Sequence, residues 1–291
     1  MPAKKNKTGV TVYMTTYDAS AFMIKPATYL FNKYWGLDQP VRLLGYSKPK
    51  HKLPDNFKFI SMGRDPKHAD LWTRYIHDTL KKIVDDKFLV HILDDQLATD
   101  YLDLDIFSDL LGRMQADKTI VRCGLGFGPS IRTYSYKIID SNKEYDVYEL
   151  NQDADYRVAG QCTLWRTDYF LRCLDNDWNA WKFELINSEK AKNDGNRVLG
   201  TARKYAFRWL EHSALSGRSP KGRINILGLR PEDVKTLVKK RYFKEQDLQY
   251  GVGNVPTFTE VGYDFKIDYL KPYKTDKEFW ELKYEHSWAY E

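Results

Sequence analysis

Between residues 9 and 93, short apolar or β-branched runs alternate with longer segments whose apolar residues recur at helical spacing. "GVTVYMT", 9–15, reads as a strand. Pro26 suits the first turn of a helix with Ala27, Leu30, Phe31 and Tyr34 on one stripe, and Gly36 stops it. "PVRLLGY" and "FKFISM" are two further strands, separated by a Pro/Lys-rich loop. Asp70 is a suitable N-cap for a helix carrying Trp72, Tyr75, Ile76, Leu80 and Ile83 on one side, and "FLVHIL", 88–93, follows as a strand. The order β-α-β-β-α-β predicts an α/β, Rossmann-like fold: a mostly parallel central sheet flanked by helices.

Beyond residue 102 the pattern predicts another helix, a strand at "TIVRCGLG", an irregular hairpin over 134–150, a strand at "YRVAGQCTLW" and a helix at "RTDYFLRCL" close behind it. Residues 178–192 and 201–213 read as helical, "RINILGL" as a late strand and "PEDVKTLVKKRYF" as a Pro-initiated helix. The last 47 residues hold eleven aromatics with little periodicity and read as an extension that wraps over the domain. The expected organisation is one domain over 1–245, with an extension over 246–291.

No stretch approaches the length of a transmembrane helix, and the basic N-terminus "MPAKKNKTG" lacks the apolar core of a signal peptide. Cys123, Cys162 and Cys173 form no CxxC pair, so neither a disulfide framework nor a structural zinc site is expected. These features predict a cytoplasmic protein. Charge is uneven: residues 199–244 hold twelve Lys/Arg against three acids, whereas residues 85–118 hold nine Asp against three bases. That contrast suits an anionic ligand with a metal between the two segments, and equally two solvated faces of unlike sign.

The strand 88–93 runs directly into Asp94, Asp95 and Gln96. In open α/β sheets ligands bind beyond the carboxyl ends of the strands, so this turn should lie beside "TTYD", Thr15–Thr16–Tyr17–Asp18, which leaves the first strand. Two carboxylates at a strand end can hold Mg²⁺ or Mn²⁺ together with water and phosphate oxygens, and they can equally cap a turn. The hydroxyls, ring and carboxylate of the other loop suit a nucleoside.

The opening strand ending in "TTYD", the helix "LWTRYIHDTLKKI", the strand "FLVHILDD" and "AGQCTLWRTDYFLRCL" followed by "WNAWKFE" together resemble GT-A-fold glycosyltransferases, in particular bacterial and phage nucleotide-sugar-dependent transferases. The resemblance covers about residues 8–245 and implies a donor half over about 8–100 and an acceptor half over about 101–245. It implies a hexosyl or pentosyl transfer from a nucleotide sugar, a UDP-sugar, to an acceptor hydroxyl. Thr15, Thr16, Tyr17 and Asp18 would line the nucleotide pocket, with Tyr17 stacked on the base. Trp72 and Arg74 would serve the donor, Arg74 by reaching the diphosphate with its planar fork. Asp95 would be the first metal ligand and Asp94 a second ligand or a contact to the donor; His212 would be a third ligand. Asp94-Asp95-Gln96 departs from the family's Asp-x-Asp pattern, and some members of the family work without a metal.

An inverting transfer needs a base to take the acceptor's proton. The resemblance points to Glu184, three residues after Trp181 on the same helical face, with Asp177 in reserve. The competing pattern is an amphipathic helix with Trp178, Trp181 and Leu185 in the core and Glu184 in solvent. Arg203, Lys204, Arg208, Arg218, Lys221, Arg223 and the "KKR" at 239–241 could hold the diphosphate or an anionic acceptor. A surface glycan is the leading acceptor. Transfer to a hydroxymethylated DNA base, as phage enzymes of this kind perform, is the second reading. A catalytically inactive sugar-nucleotide or carbohydrate binder is the third; a metal phosphohydrolase lacks its DxDxT motif here.

Overall fold

The computed structural model describes residues 8–66, 71–126, 135–210, 214–215, 224–226 and 228–249. It divides into two compact units, 1–209 and 210–291.

The first unit is built on a nine-stranded sheet. Its strands are β1 (Thr11–Thr15), β2 (Val41–Gly45), β3 (Phe57–Ser61), β4 (Phe88–Leu93), β5 (Ile120–Gly124), β6 (Tyr136–Ser141), β7 (Asp146–Leu150), β8 (Thr163–Arg166) and β9 (Arg197–Ala202). The helices are α1 (Ile24–Tyr34), α2 (Trp72–Ile83), α3 (Leu104–Ala116), α4 (Thr167–Leu174) and α5 (Ala180–Lys190). Spatial order is β3-β2-β1-β4-β8-β5-β9-β7-β6. Pairing from β3 through β4 and between β5 and β9 is parallel, and only β7 and β8 run against the others. The expected mostly parallel, helix-flanked α/β sheet is the observed one.

Central strands bury both faces, which is why β4 reads as a continuous apolar run. On one face Tyr13, Leu44, Leu89 and Trp165 pack against Ile76 and Leu80 of α2, Phe170 of α4 and Phe183 of α5. On the other, Phe31 and Trp35 meet Phe57, Phe107 of α3 and Phe207. Helix starts follow local chemistry: Asp103 accepts from the Asp105 and Ile106 amides, and Asn179 accepts from that of Lys182. The Asp70 cap expected for α2 lies outside the described residues.

Two expectations fail. Residues 156–162 are irregular, and the strand begins only at Thr163. The cause is Arg157, fully buried, whose guanidinium donates to the carbonyls of Leu150, Asn151, Ala191 and Asn196 and so pulls the chain off the sheet. Residues 201–210 are not helical: β9 occupies 197–202, and Arg203 then takes a positive φ of 66°. The segment's backbone groups pair with Thr99, Asp103 and Leu125 instead of with one another.

In the second unit, β10 (Ile224–Asn225) pairs in parallel with β11 (Leu248–Gln249), and α6 (Pro231–Lys239) starts on Pro231 with Glu232 and Asp233 in its first turn. Among the described residues of the expected late strand, only Ile224 and Asn225 form strand. Almost all of the aromatic-rich extension lies outside the described residues. No described helix is long and apolar enough to cross a membrane.

Candidate active site

β1 and β4 are parallel neighbours with Thr15 opposite Leu93, so both chains leave the sheet together. The Asp94 amide donates to the Thr15 carbonyl at 3.0 Å, and the Thr16 amide to that of Leu44 at 2.9 Å. The exits of β1, β2 and β4 thus converge. Gly45, the last residue of β2, permits this: a Cβ there would lie 2.8 Å from Thr16 Cγ2.

Asp94 is buried, and its Oδ2 accepts from Thr16 Oγ1 at 2.6 Å and Ser20 Oγ at 2.7 Å. Burial, then the charge of Asp95, pushes its carboxyl well above the usual carboxylate range, against the lowering effect of the two hydroxyls. Asp95 is half-buried beside it. Gln96 closes the turn: its amide donates to the Leu93 carbonyl at 3.1 Å, and its Oε1 accepts from the Leu93 amide at 3.2 Å.

The same turn reaches the acceptor half. Gln96 Nε2 donates to the Gly160 carbonyl at 3.4 Å, and the Gly160 amide donates to Glu184 Oε1 at 2.7 Å. One residue of the irregular 156–162 stretch therefore joins the Asp94 turn to Glu184. Helix α5 buries Phe183, Asn187 and Ser188 and leaves Trp181 49% exposed, so Trp181 is not a core residue. Glu184 is half-buried beside that open ring.

The other named residues separate into groups. Thr15 turns toward the α2 side, its Oγ1 3.1 Å from Nε2 of buried His91. Tyr17 is 47% exposed. Asp18 holds the loop after β2, accepting from the Ser47 amide at 3.0 Å and its hydroxyl at 2.7 Å. Trp72 packs edge-on against Phe183 and His91. Arg74 forms an ion pair with Asp177, so the diphosphate candidate and the reserve base are each other's partner. Arg203 pairs with Asp146, and Lys204 with Asp103 and Glu144. Arg208 lies over the Tyr205 ring. His212, Arg218, Lys221 and Arg223 lie outside the described residues.

The sequence pattern does not single out Ser20 or Gly160. Ser20 carried a weak signal as a second hydroxyl four residues after Thr16, and Gly160 as a glycine interrupting a strand pattern.

For a divalent cation the donor set fits one class. Among the described residues no group of three or more His, Cys, Asp or Glu side chains comes together, but Asp94 and Asp95 sit side by side at a strand end. Two carboxylates suit Mg²⁺ or Mn²⁺, which complete their shells with water and phosphate oxygens. A cation there would also offset the Asp94–Asp95 repulsion.

No family model matches the sequence, and no curated protein matches it. Solved structures do resemble it. One is TarS 1–349 of S. aureus, with 11% identity and a TM-score of 0.44 over 68% of this chain and 59% of that one. A UDP-glucose pyrophosphorylase complexed with UDP-glucose shows 8% identity and a TM-score of 0.36, over 69% and 91%. The mannosyltransferase PcManGT from Pyrobaculum calidifontis, in complex with GDP-Man and Mn²⁺, shows 12% and 0.40, over 65% and 53%. This chain thus spans less than two thirds of the TarS and PcManGT chains.

Proposed function

We propose that this protein is a glycosyltransferase that moves a sugar from a nucleotide-sugar donor, a UDP-sugar, to an acceptor hydroxyl with inversion, the acceptor being a surface glycan. One observation carries the reading: the Asp94–Gln96 turn and the Glu184 carboxylate are joined through the two backbone groups of Gly160. A donor-binding turn and a base must be held at a fixed separation for in-line attack, and hydrogen bonds to one shared residue support this.

In this reading residues of about 8–100 bind the donor. Thr16 and Ser20 hold the Asp94 carboxylate in one orientation, and Tyr17 offers an exposed ring to the base. Asp94 and Asp95 would hold Mn²⁺ or Mg²⁺, which when bound neutralises charge on the departing diphosphate. Glu184, oriented by the Gly160 amide, takes the proton of the acceptor hydroxyl as its oxygen bonds to the anomeric carbon. The bond from that carbon to the diphosphate oxygen breaks, and the nucleoside diphosphate leaves with the electron pair. Trp181 supplies an apolar face for the acceptor ring.

The test is Glu184→Gln with UDP-sugars and Mn²⁺. General-base loss should lower kcat by about 10²–10⁴-fold and leave donor affinity nearly unchanged. A two- or three-fold drop, or product with retained anomeric configuration, would reject the assignment.

A further inference from the structure

We propose that a groove along the β2–β3 edge is a binding site for an anionic oligosaccharide, separate from the Asp94 turn. The groove is an open one of about 890 Å³, lined by β2, β3, the loop between them and Asp38 and Pro40 just before β2. That volume is in the range of sites that hold ligands of a few rings.

Its charge is the first argument. Arg42, Lys48, Lys52 and Lys58 line it, against Asp38 and Asp55. Arg42 and Lys58 are register partners on adjacent parallel strands, an arrangement that sets like charges side by side. Lys52 pairs with Asp55 at 3.3 Å, but Arg42, Lys48 and Lys58 make no ion pair among the described residues. Four cations against two acids leave the groove net positive, a charge that an anionic ligand would neutralise.

The second argument is His51, which also lines the groove. Its Nε2 is buried and has no hydrogen-bond partner among the described residues. Burial, then the charge of Lys25, lowers its pKa, which favours the neutral ring. Buried polar atoms left unsatisfied are uncommon and call for a partner.

The two acids choose among anions. A phosphodiester backbone would bring phosphates against Asp38 and Asp55. A sugar chain carries negative groups for the cations and hydroxyl donors for the carboxylates. Pro40, Pro49 and Leu53 add apolar surface for ring faces. Asp18 holds Ser47, next to Lys48, so the groove starts where the β1 loop ends. Gripping an acceptor away from its reacting hydroxyl is a role that rests on the transferase reading; the binding itself does not.

The whole 291-residue chain is titrated calorimetrically, without donor, with tetragalacturonate, a heparin tetrasaccharide, neutral maltotetraose and a short single-stranded DNA, at low and physiological salt. Both anionic saccharides should bind, with affinity falling as salt rises, and maltotetraose should not. Arg42→Gln/Lys58→Gln should weaken them by about tenfold or more, while Lys118→Gln changes nothing. Lys58→Gln alone, at an exposed position, gives a milder loss in a variant whose fold is not in question. Absence of saccharide binding, binding indifferent to Arg42 and Lys58, or tighter DNA binding through those residues would overturn the proposal. UDP affinity measured in the same variants should be unchanged, which separates this result from any failure of the donor site.

Discussion

Thr16 Oγ1 donates to Asp94 Oδ2 at 2.6 Å across 78 residues of sequence, and Ser20 Oγ donates to the same oxygen. This contact joins the exits of β1 and β4 around a carboxylate that burial and Asp95 make costly to ionise. Thr16→Val removes one donor from a buried acceptor and should lower stability by about 1–3 kcal/mol in urea denaturation. Asp94→Asn keeps an acceptor for both hydroxyls and discards the buried charge. It should leave the ligand-free protein as stable as wild type or more so, while Mn²⁺-dependent UDP binding falls. Loss of stability with UDP binding intact would make Asp94 a structural turn residue.

Gln96 is the side chain between the Asp94 turn and Gly160. Gln96→Leu keeps its bulk but unpairs the Leu93 amide and the Gly160 carbonyl. The expected result is a loss of about 1–3 kcal/mol and a fall in kcat larger than any change in donor affinity. A purely structural role would lower the melting temperature without altering kcat per folded molecule.

His91 is fully buried and burial lowers its pKa to about 3. A folded-state value below the unfolded one means stability is fully present above the ordinary histidine range and declines as pH falls toward 3. His91→Phe, in a site already formed by Trp72 and Phe170, should flatten that part of the stability–pH curve. Loss of the Thr15 contact should lower the neutral-pH value. An unchanged acid slope would place the titration elsewhere.

Gly126 tests packing at the end of β5. A Cβ there would lie 2.3 Å from the Trp209 ring and 2.4 Å from the Phe207 carbonyl oxygen, and neither can swing aside. Gly126→Ala should destabilise the protein by about 1–3 kcal/mol by overpacking. Gly112→Ala, in helix α3 with open space around it, should be neutral or stabilising. Equal effects at the two sites would contradict this packing.

Some of this was legible in the chain. Alternating apolar and helical periods specified β1 through β4 in order, and the apolar run 88–93 marked β4 as a strand buried on both faces. The strand-end rule put Thr16 beside Asp94, because parallel neighbours leave a sheet on the same side. Those properties are local: a residue's face and its strand's direction follow from backbone period and connection length. Tertiary structure decided the rest. Arg157 held four carbonyls, two of them more than thirty residues away, and turned a strand-like sequence into the loop that carries Gly160 to Glu184. Arg203 and Lys204, prominent in the basic segment, were spent on acids of other elements, while Arg42 and Lys58 were brought together unpaired. The partner of a buried polar or charged group is chosen by three-dimensional proximity and desolvation, and no sequence period records that choice.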